Sequence, residues 1–455
     1  MLQFPNLPIY DKTQLILNAA ACVGVIGVVV WAYLRKSDSR LPLPPSPPTW
    51  RLRGHFLPPN NASSTVMRWI DEYGPSDYNS LRNPDRRNYR PLQSCGGYNG
   101  EAGALHTHLQ PKSAEAYQPL QISQAKTMIL SILDDPCNFQ NHVTTYATTA
   151  IMKIAYGKTI PTLATDPKIR EARQLIRRLN PILHHGYYLV DLIPWLKYLP
   201  WYAPELKDEF KRTKRLFTDQ LNRVKLQMQS NEDIGPSFSK YILENGHLYG
   251  LTETEMAYLA GSFFGAGIKT TAVAISMVEL DAVIGREQAP TFADKTSLPH
   301  LEAFISEALR WRPVTPEGFP HRTTEDENYC IPAGTTVTGN HWAISRDPEV
   351  YPEPDAFKPQ RWINDQGCLR DDLTFFVFGF GRCVCPGQHV ANRSVFINLL
   401  LILWAFQLSL DPTKLQDDMG FTNVMMLNDP CTIEFQTRVP EAELRRMMQN
   451  HPESG

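Results

Sequence analysis

The sequence predicts a mainly α-helical globular region with small β-sheets, preceded by a membrane-spanning helix. Three observations support this. Apolar residues recur at helical spacing along most of the chain after residue 51, the β signals are few and short, and an uncharged apolar segment of twenty residues lies near the start. With 455 residues, of which 42% are hydrophobic, the chain can bury a large core without disulfide bonds.

The composition excludes several classes of protein. Lys and Arg number 45 against 47 Asp and Glu, for a net charge of −2. Because nucleic-acid binding needs a basic face, we expect no nucleic acid among the partners. Eight cysteines are too few for a secreted disulfide scaffold of this length. The 10% of aromatic residues argue against general disorder.

The first distinctive segment is residues 15–34, LILNAAACVGVIGVVVWAYL, which as a helix would span roughly 30 Å of hydrocarbon. A signal peptide would have a shorter apolar part and a small-residue cleavage site. Here Trp31 and Tyr33 are followed by Arg35 and Lys36, which is typical of an uncleaved anchor at a membrane surface.

The charges that flank the anchor predict the domain organisation. Basic residues after it outnumber Lys12 before it, so we expect residues 1–14 in the lumen and the rest on the cytoplasmic side of the endoplasmic reticulum. Residues 35–50 form a basic, proline-rich hinge with five prolines in LPLPPSPPTW, and the alternative is that this run is a ligand for a proline-reading module. Residues 51–455 form the globular domain, in which 76–100 is polar, without periodicity, and predicted to be a loop or disordered.

Within the globular domain, periodicity and turn signals place the elements. A capping box at Thr252 and Glu255 opens one of the helices. The predicted helices are Ala114–Leu133, Asn141–Tyr156, Lys168–Leu179, Pro204–Gln229, Thr254–Val283, Leu301–Trp311 and His389–Leu408, and the predicted strands lie within Gly334–Asn340 and Cys431–Val439.

The strongest chemical signal is residues 375–391, FFVFGFGRCVCPGQHVA. Glycines allow the backbone to approach a flat ligand, and a thiol just before a helix can be stabilised as thiolate by the helix amides. A thiolate of this kind can serve as the axial ligand of a haem iron and favour O–O cleavage. A zinc or redox site formed by Cys383, Cys385 and His389 is the alternative, but no second ligand cluster is evident.

This loop resembles the haem-binding signature of the cytochrome P450 family, F-x-x-G-x-R-x-C-x-G. The better register makes Cys385 the metal ligand, whereas the register with Cys383 as ligand loses the later matches. In the better register, Cys383 occupies the place of the arginine that pairs with a haem propionate, and Arg382 is adjacent. The resemblance implies cofactor-binding roles for Cys385, Phe378, Gly381, Arg382 and Gly387.

Two further motifs occur in the order that the family shows. Glu307 and Arg310 resemble its E-x-x-R element, and FKPQRW at 357–362 resembles its F-x-P-x-R-W element. The resemblance implies a structural network of Glu307, Arg310 and Arg361 behind the haem. It also makes His321, within PHR, the candidate that contacts a propionate.

The family's oxygen-activation motif, A/G-G-x-D/E-T-T, is matched by Ala266, Gly267, Thr270 and Thr271. We therefore expect catalytic roles for Ala266, Gly267 and Thr270. Lys269 replaces the acid of the motif, and a cation does not substitute for it simply. Close packing against a neighbouring helix is an alternative reason for the glycine.

The resemblance implies a P450-like fold and a membrane-bound monooxygenase with heme b that inserts one oxygen atom from O₂ into an apolar small-molecule substrate. It is similar to fungal microsomal members, which suggests terpenoid or polyketide secondary metabolism. Electrons would come from NADPH–cytochrome P450 reductase. We expect Phe263, Phe264 and Ala266 to border the substrate cavity, and the aromatic segment 191–201 either to touch membrane lipid or to pack on the core.

The sequence also departs from the family in two places. Residues 76–100 replace early elements, and a connecting helix is missing after residue 274. Two alternatives therefore remain: a catalytically impaired relative, and a membrane-tethered interaction protein. Loss of haem uptake would support the former, and function that survives Cys385→Ser would support the latter.

Overall fold

The computed structural model describes most of the globular domain. The described residues are 24, 27, 62–73, 105, 108–158, most of 166–178, 188–191, 194–199, 201–230, 235–276, 290–322, 336–379, 384–410 and 433–450. The chain divides into two compact units. The smaller comprises Met1–Ser46, Gly74–Leu92 and His321–Val337, and the larger comprises the remainder, which holds nearly all of the described elements.

Helices account for most of the described structure, so the prediction of a mainly α-helical domain with small sheets is confirmed. The helices are α1 Ala62–Tyr73, α2 Pro111–Glu115, α3 Gln118–Asp134, α4 Phe139–Tyr156, α5 Pro204–Gln229, α6 Phe238–Asn245, α7 Glu253–Ser276, α8 Pro299–Trp311, α9 His341–Ile344, α10 Gln388–Ala405 and α11 Glu441–Asn450. The strands are β1 Pro320–Arg322, β2 Thr336–Thr338, β3 Phe406–Leu410 and β4 Ile433–Thr437. Described residues between 167 and 178 are also helical, and short 3₁₀ turns join several of these elements.

Two large hydrophobic clusters form most of the described core, and α7 contributes to both. The first cluster gathers side chains of α3, the start of α4, α8, α10, β3 and α11, together with the last turn of α7 from Ala272 to Ile275. The second packs the end of α4 against α5, α6 and the first part of α7, from Met256 to Ile268. Helix α10 is buried on almost all sides from Ser394 to Ala405, as expected for a helix that is apolar all round.

The start of α7 follows the predicted capping box. The Glu255 carboxylate accepts a hydrogen bond from the Thr252 backbone N–H at 2.7 Å, and the Thr252 hydroxyl accepts one from the Glu255 N–H at 3.3 Å. These two bonds satisfy backbone donors that the first helical turn leaves without partners.

The predicted helix Ala114–Leu133 is wrong as a single element. The structure divides it into α2 and α3, with a break at Ala116 and Tyr117. Pro119 lies at the second position of α3, where a residue without a backbone N–H is tolerated. The same proline inside a continuous helix would remove a hydrogen bond, so the chain starts a new helix instead.

The predicted helix His389–Leu408 extends too far. Helix α10 ends at Ala405, and Phe406 begins β3, which pairs antiparallel with β4 in the register Phe406 with Thr437. The Arg438 backbone N–H donates to the Ala405 carbonyl at 2.9 Å, and its side chain donates to the Phe406 carbonyl at 2.9 Å. A partner strand distant in sequence therefore overrides local helical periodicity. Strands β1 and β2 form a separate two-stranded sheet.

The predicted anchor, residues 15–34, lies outside the described residues apart from Gly24 and Gly27, which are helical. Across the parts of the chain that the structure describes, none of the helices combines the length and apolarity that a membrane crossing requires. The predicted loop at 76–100 and the hinge at 35–50 also lie outside them.

Candidate active site

The cysteine loop leads directly into α10. The Cys385 backbone N–H donates to the Phe378 carbonyl at 2.8 Å, which closes the loop on itself. A tight turn precedes this closure, with the Gly379 N–H donating to the Phe376 carbonyl at 2.8 Å. Gly379 has φ of 74°, a left-handed conformation that favours glycine. The sequence matches Gly379 to the motif only in the rejected register, with Cys383 as ligand, and the preferred register gives it no role.

The Cys385 thiol is half-buried and lies just before the first residue of α10. Burial raises the pKa of the Cys385 thiol above its ordinary value, while hydrogen bonds from the backbone N–H groups of Gly387 and Gln388 act to lower it. The two amides therefore act in the predicted direction, and burial outweighs them for the thiol itself. A bound metal cation would deprotonate such a thiol, since a coordinating sulfur binds as thiolate.

One side of α7 is open at the predicted oxygen-activation motif. Ala266 is exposed, and a Cβ built on the neighbouring Gly265 would meet no atom within 4 Å. The Thr270 hydroxyl donates to the Ala266 carbonyl at 2.6 Å. The hydroxyl oxygen of Thr270 therefore keeps lone pairs that can accept a hydrogen bond from water or another donor.

Gly267 faces a neighbouring helix and not the open side. A Cβ on Gly267 would come within 2.5 Å of Ile151 Cδ1 on α4, much closer than real Cβ contacts. The glycine thus permits α4 and α7 to pack closely. This is the alternative that the sequence analysis left open, and it replaces the predicted catalytic role of Gly267 with a packing role.

Phe263 and Phe264, the two phenylalanines predicted to border a substrate cavity, lie in different surroundings. Phe263 is half-buried, and its Cε2 would lie 3.9 Å from a Cβ on Gly387, while the Cys385 Sγ would lie 3.9 Å from the same point. Phe263 therefore lies beside the cysteine loop. Phe264 is 1% exposed in the second cluster, with its ring edge-on to Tyr156. The prediction that Phe264 borders a cavity is wrong, because its helical position turns it toward the core.

The structure brings Glu307, Arg310 and Arg361 together. Arg310 donates from Nε and Nη2 to the two oxygens of Glu307, both at 2.8 Å, and Arg361 Nε donates to the Glu307 Oε1 at 3.1 Å. Glu307 and Arg310 are fully buried. Two more donors complete the carboxylate: the Trp362 Nε1 at 2.9 Å and the Lys358 backbone N–H at 2.8 Å.

The arginines of this network also bind backbone carbonyls. Arg310 Nη1 donates to Ser345 and Pro354 at 2.7 and 2.9 Å, and Arg361 Nη1 donates to Pro352 at 2.7 Å. Burial acts to raise the pKa of Glu307, but the hydrogen bonds and charge of Arg310 and the other donors outweigh it and hold the pKa below its ordinary value. The network therefore fastens the segment 345–362 to α8. The role of Trp362 was detectable from its place in the motif.

The remaining predicted residues lie at or beyond the edge of the described structure. Gly381, Arg382 and Cys383 lie outside the described residues, as does the side chain of Lys269. His321 is part of β1, but its side chain is outside them too. Within the described parts of the chain, no group of three or more His, Cys, Asp and Glu side chains is arranged to hold a metal ion.

Comparison with known proteins decides the family. A sequence model of the family described as Cytochrome P450 matches residues 121–435, more than half of the chain. The chain belongs to the cytochrome P450 family.

Cytochrome P450 monooxygenase 113 of Postia placenta (strain ATCC 44394 / Madison 698-R) is 38% identical over 486 aligned positions, which cover 94% of this chain and 98% of the relative. Cytochrome P450 monooxygenase 64 of the same fungus is 44% identical over 360 positions, covering 75% and 72%. Cytochrome P450 monooxygenase criE of Aspergillus cristatus is 28% identical over 487 positions, covering 93% and 88%.

Membership makes this P450 a haem-thiolate monooxygenase, an oxidoreductase that uses O₂ and a redox partner. The family implies a haem with thiolate ligation, and the residues present fit it: a half-buried soft sulfur, two amides directed at it, and an open helix side. The alignment with monooxygenase 113 spans more positions than this chain has residues, so that relative carries segments that this P450 lacks.

Proposed function

We propose that Cys385 is the axial ligand of heme b in a membrane-associated P450 that oxidises an apolar product of fungal secondary metabolism, a terpenoid or a polyketide. The observation that carries the ligand assignment is the half-buried Cys385 thiol directly ahead of α10, with the Cβ position of Gly387 3.9 Å from its sulfur and the backbone of Gln388 bonded to the Cys385 carbonyl. The monooxygenase relatives named above are fungal, which supports the metabolic context.

The haem, when bound, supplies the site at which O₂ is activated by reduction. The protein's own part is to hold and tune it. Cys385 donates charge through its sulfur, and the two amides keep that charge in place. Ala266 leaves room on α7, and the Thr270 hydroxyl accepts a hydrogen bond from water, which positions a proton donor beside that space.

Electrons would enter from NADPH through the flavoprotein NADPH–cytochrome P450 reductase, because the sequence carries no dinucleotide-binding glycine fingerprint after a strand. In the overall reaction, one atom of O₂ enters a C–H bond of the substrate and the other leaves as water. The reductase supplies the electrons that balance the second atom, and solvent supplies the protons.

An apolar substrate is supported by the side chains beside the cysteine loop. Phe263 packs edge-on against Phe238, with ring centroids 5.8 Å apart and an interplanar angle of 66°. Ala266 adds a methyl group on the open side of α7. Aromatic and methyl surface of this kind favours a hydrocarbon ligand over a charged one.

Membrane association is supported by an aromatic surface around residues 189–201. Trp195 is 49% exposed, Tyr198 76% and Trp201 72%, and Lys197 Nζ lies 5.0 Å from the ring centre of Tyr198. Exposed Trp and Tyr beside a Lys are typical of a surface at the headgroup layer. With the apolar segment 15–34, this favours the endoplasmic reticulum membrane and a cytoplasmic catalytic domain.

The ligand assignment is tested by the carbon-monoxide difference spectrum of the reduced, purified protein. The wild type should show the band of a thiolate-ligated haem, and Cys385→Ser should abolish it. Cys137→Ser is the matched control, since Cys137 is exposed and lies more than 200 residues before the loop. A thiolate band that survives Cys385→Ser would overturn the assignment. A wild type that takes up no haem would favour the catalytically impaired relative.

The membrane surface is tested by tryptophan quenching with lipids that carry a quencher on their acyl chains. The double substitution Trp195→Phe, Trp201→Phe should lower the quenchable fraction of the fluorescence. Trp342→Phe should leave that fraction unchanged, because Trp342 is 4% exposed. Equal quenching in all three proteins would refute the contact with lipid.

Oxygen activation is tested by comparing peroxide release with product formation. Thr270→Val removes the hydroxyl and should raise the peroxide share, since a water at this position loses its acceptor. Tight coupling in the wild type would show that Lys269 does not impair the reaction. A Thr270→Val protein that couples as well as the wild type would refute the role of the hydroxyl.

A further inference from the structure

A buried amide joins α3 to the first turns of the cysteine helix α10. Gln121 is fully buried, and its Nε2 donates to the Val390 carbonyl and to the Ser394 hydroxyl oxygen, both at 2.9 Å. Val390 is the third residue of α10, so both bonds fall within its first two turns. The two bonds join residues that are separated in the sequence by 269 and 273 positions, respectively.

That first turn carries the groups that surround the cysteine sulfur. Gly387 immediately precedes α10, and a Cβ built on it would lie 3.9 Å from the Cys385 Sγ. Gln388 is the first residue of α10, its backbone N–H donates to the Cys385 carbonyl at 3.3 Å, and the N–H groups of both residues act to lower the pKa of the thiol. The direction of these two N–H vectors is set by the position and tilt of the first turn. A hydrogen bond to the Val390 carbonyl holds that turn from the side.

The packing around Gln121 does not require an amide. Its neighbours on the buried face of α3 are Ile122 and Ala125, both fully buried apolar residues. The Gln121 Oε1 is buried and has no hydrogen-bond partner among the described residues. A buried acceptor without a partner is unfavourable, and an apolar side chain of equal length would avoid that penalty. The two bonds from Nε2 are therefore the structural reason for the amide.

Other groups also hold the first two turns of α10, among them the Arg393 side chain, whose Nη2 donates to the Glu115 carboxylate of α2 at 3.0 Å. The Asn398 Nδ2 donates to the Ser394 carbonyl at 2.6 Å, one turn further along the helix. Tyr146 of α4 lies against Ser394 and Asn398, and burial raises its pKa to about 12 while these two side chains act to lower it. Gln121 thus connects both Val390 and Ser394 to α3, whereas the Asn398 bond lies within α10.

We propose that Gln121 is a positioning residue for the haem thiolate: it holds the first turn of α10 so that the Gly387 and Gln388 amides remain directed at the Cys385 sulfur. The inference rests on the proposed assignment of Cys385 as axial ligand. Amide hydrogen bonds withdraw charge from a coordinating sulfur and so tune the potential of the metal that it binds.

The test compares the full-length holoprotein with Gln121→Met, which keeps the length of the side chain and removes its donors. We expect a thermal unfolding midpoint close to that of the wild type, because one unpaired acceptor is removed together with two hydrogen bonds. The haem midpoint potential should become more negative as the amides lose their alignment. Backbone amides in 387–394 should exchange with deuterium roughly fivefold faster, the loss of about one hydrogen bond.

Two further variants separate positioning from general destabilisation. Ile132→Ala removes a buried side chain 11 residues further along α3, about 16 Å away along the helix axis, and should lower the unfolding midpoint without moving the haem potential. Gln121→Glu places a carboxylate against the Val390 carbonyl and should shift the potential at least as far as Gln121→Met.

The proposal is overturned if Gln121→Met leaves both the potential and the exchange of 387–394 unchanged, or if Ile132→Ala moves them equally. Failure of the ligand assignment looks different. In that case the wild type itself lacks the thiolate-type carbon-monoxide spectrum, while deuterium exchange of the protein still reports whether Gln121 holds the first turn.

Discussion

Replacing Glu307 by glutamine should destabilise the folded P450 by about 3–5 kcal/mol. The Glu307 carboxylate accepts five hydrogen bonds, two of them on Oε2 and three on Oε1. A glutamine side chain puts an NH₂ group in place of one oxygen, so at least two buried donors would face another donor. The fully buried guanidinium of Arg310 would also lose its counter-charge. Against a total stability of about 5–15 kcal/mol, this is a fifth or more.

The assay is denaturant unfolding of the wild type and two glutamine variants, followed by circular dichroism. The matched control is Glu302→Gln on the same helix, where Glu302 pairs with Lys295 at 2.7 Å and both side chains are partly exposed. An exposed ion pair contributes at most about 1 kcal/mol, so Glu302→Gln should unfold at nearly the same denaturant concentration as the wild type. If Glu307→Gln is no less stable than Glu302→Gln, the reasoning is refuted.

The pH dependence of the folding stability tests the role of the same carboxylate independently. The pKa of Glu307 is lowered in the folded protein from its ordinary value of 4.5. The ionised carboxylate therefore contributes its full stabilisation above pH 4.5, and this stabilisation is lost as the pH falls through the pKa of the folded state. The stability of the wild type should therefore fall more steeply in acid than that of Glu307→Gln. The double variant Glu307→Leu, Arg310→Leu should be more stable than Glu307→Leu alone, because the single variant also leaves the fully buried Arg310 charge without its counter-charge.

Two more predictions follow from the packing. Gly267→Ala should destabilise the fold by about 1–3 kcal/mol, since the new methyl group would collide with Ile151. Gly265→Ala should be neutral or stabilising by up to about 1 kcal/mol, because its Cβ meets open space. Equal unfolding midpoints for the two variants would contradict this reasoning. Burial lowers the pKa of His108 to about 4, and its Nε2 lies 2.5 Å from the Tyr117 hydroxyl. The neutral ring thus contributes stability that is lost as the pH falls from 6.5 toward 4, and His108→Phe should flatten the stability profile in that window when followed by thermal unfolding.

Much of the site was predictable because short motifs carry chemistry locally. The E-x-x-R and F-x-P-x-R-W elements identified Glu307, Arg310 and Arg361, which the structure brings together. The cysteine register identified a thiol at the start of a helix, where Cys385 lies. The seven periodic segments indicated the helical architecture, and the capping box marked the start of α7 within one residue.

The break between α2 and α3 has a local cause, Pro119, but other errors come from contact between residues distant in sequence. Periodicity continued α10 through Phe406, but pairing with Thr437 makes that residue a strand. The motif suggested oxygen activation at Gly267, but its distance to Ile151 shows helix packing. Gln121 reads as one polar residue on an apolar helix face, and only its bond to Val390 reveals what it holds.

The sequence by itself determined the family chemistry of this P450: which sulfur can bind iron, which acid and bases can pair, and which segments are helical. These properties depend on residue type and on short spacings along the chain, so the sequence alone specifies them. Tertiary structure decided which side of each helix meets a partner. That choice determined that Ala266 lies on the open side of α7 while Gly267 packs against α4, because adjacent residues of a helix point about 100° apart and only the neighbouring helix fixes which of them is covered.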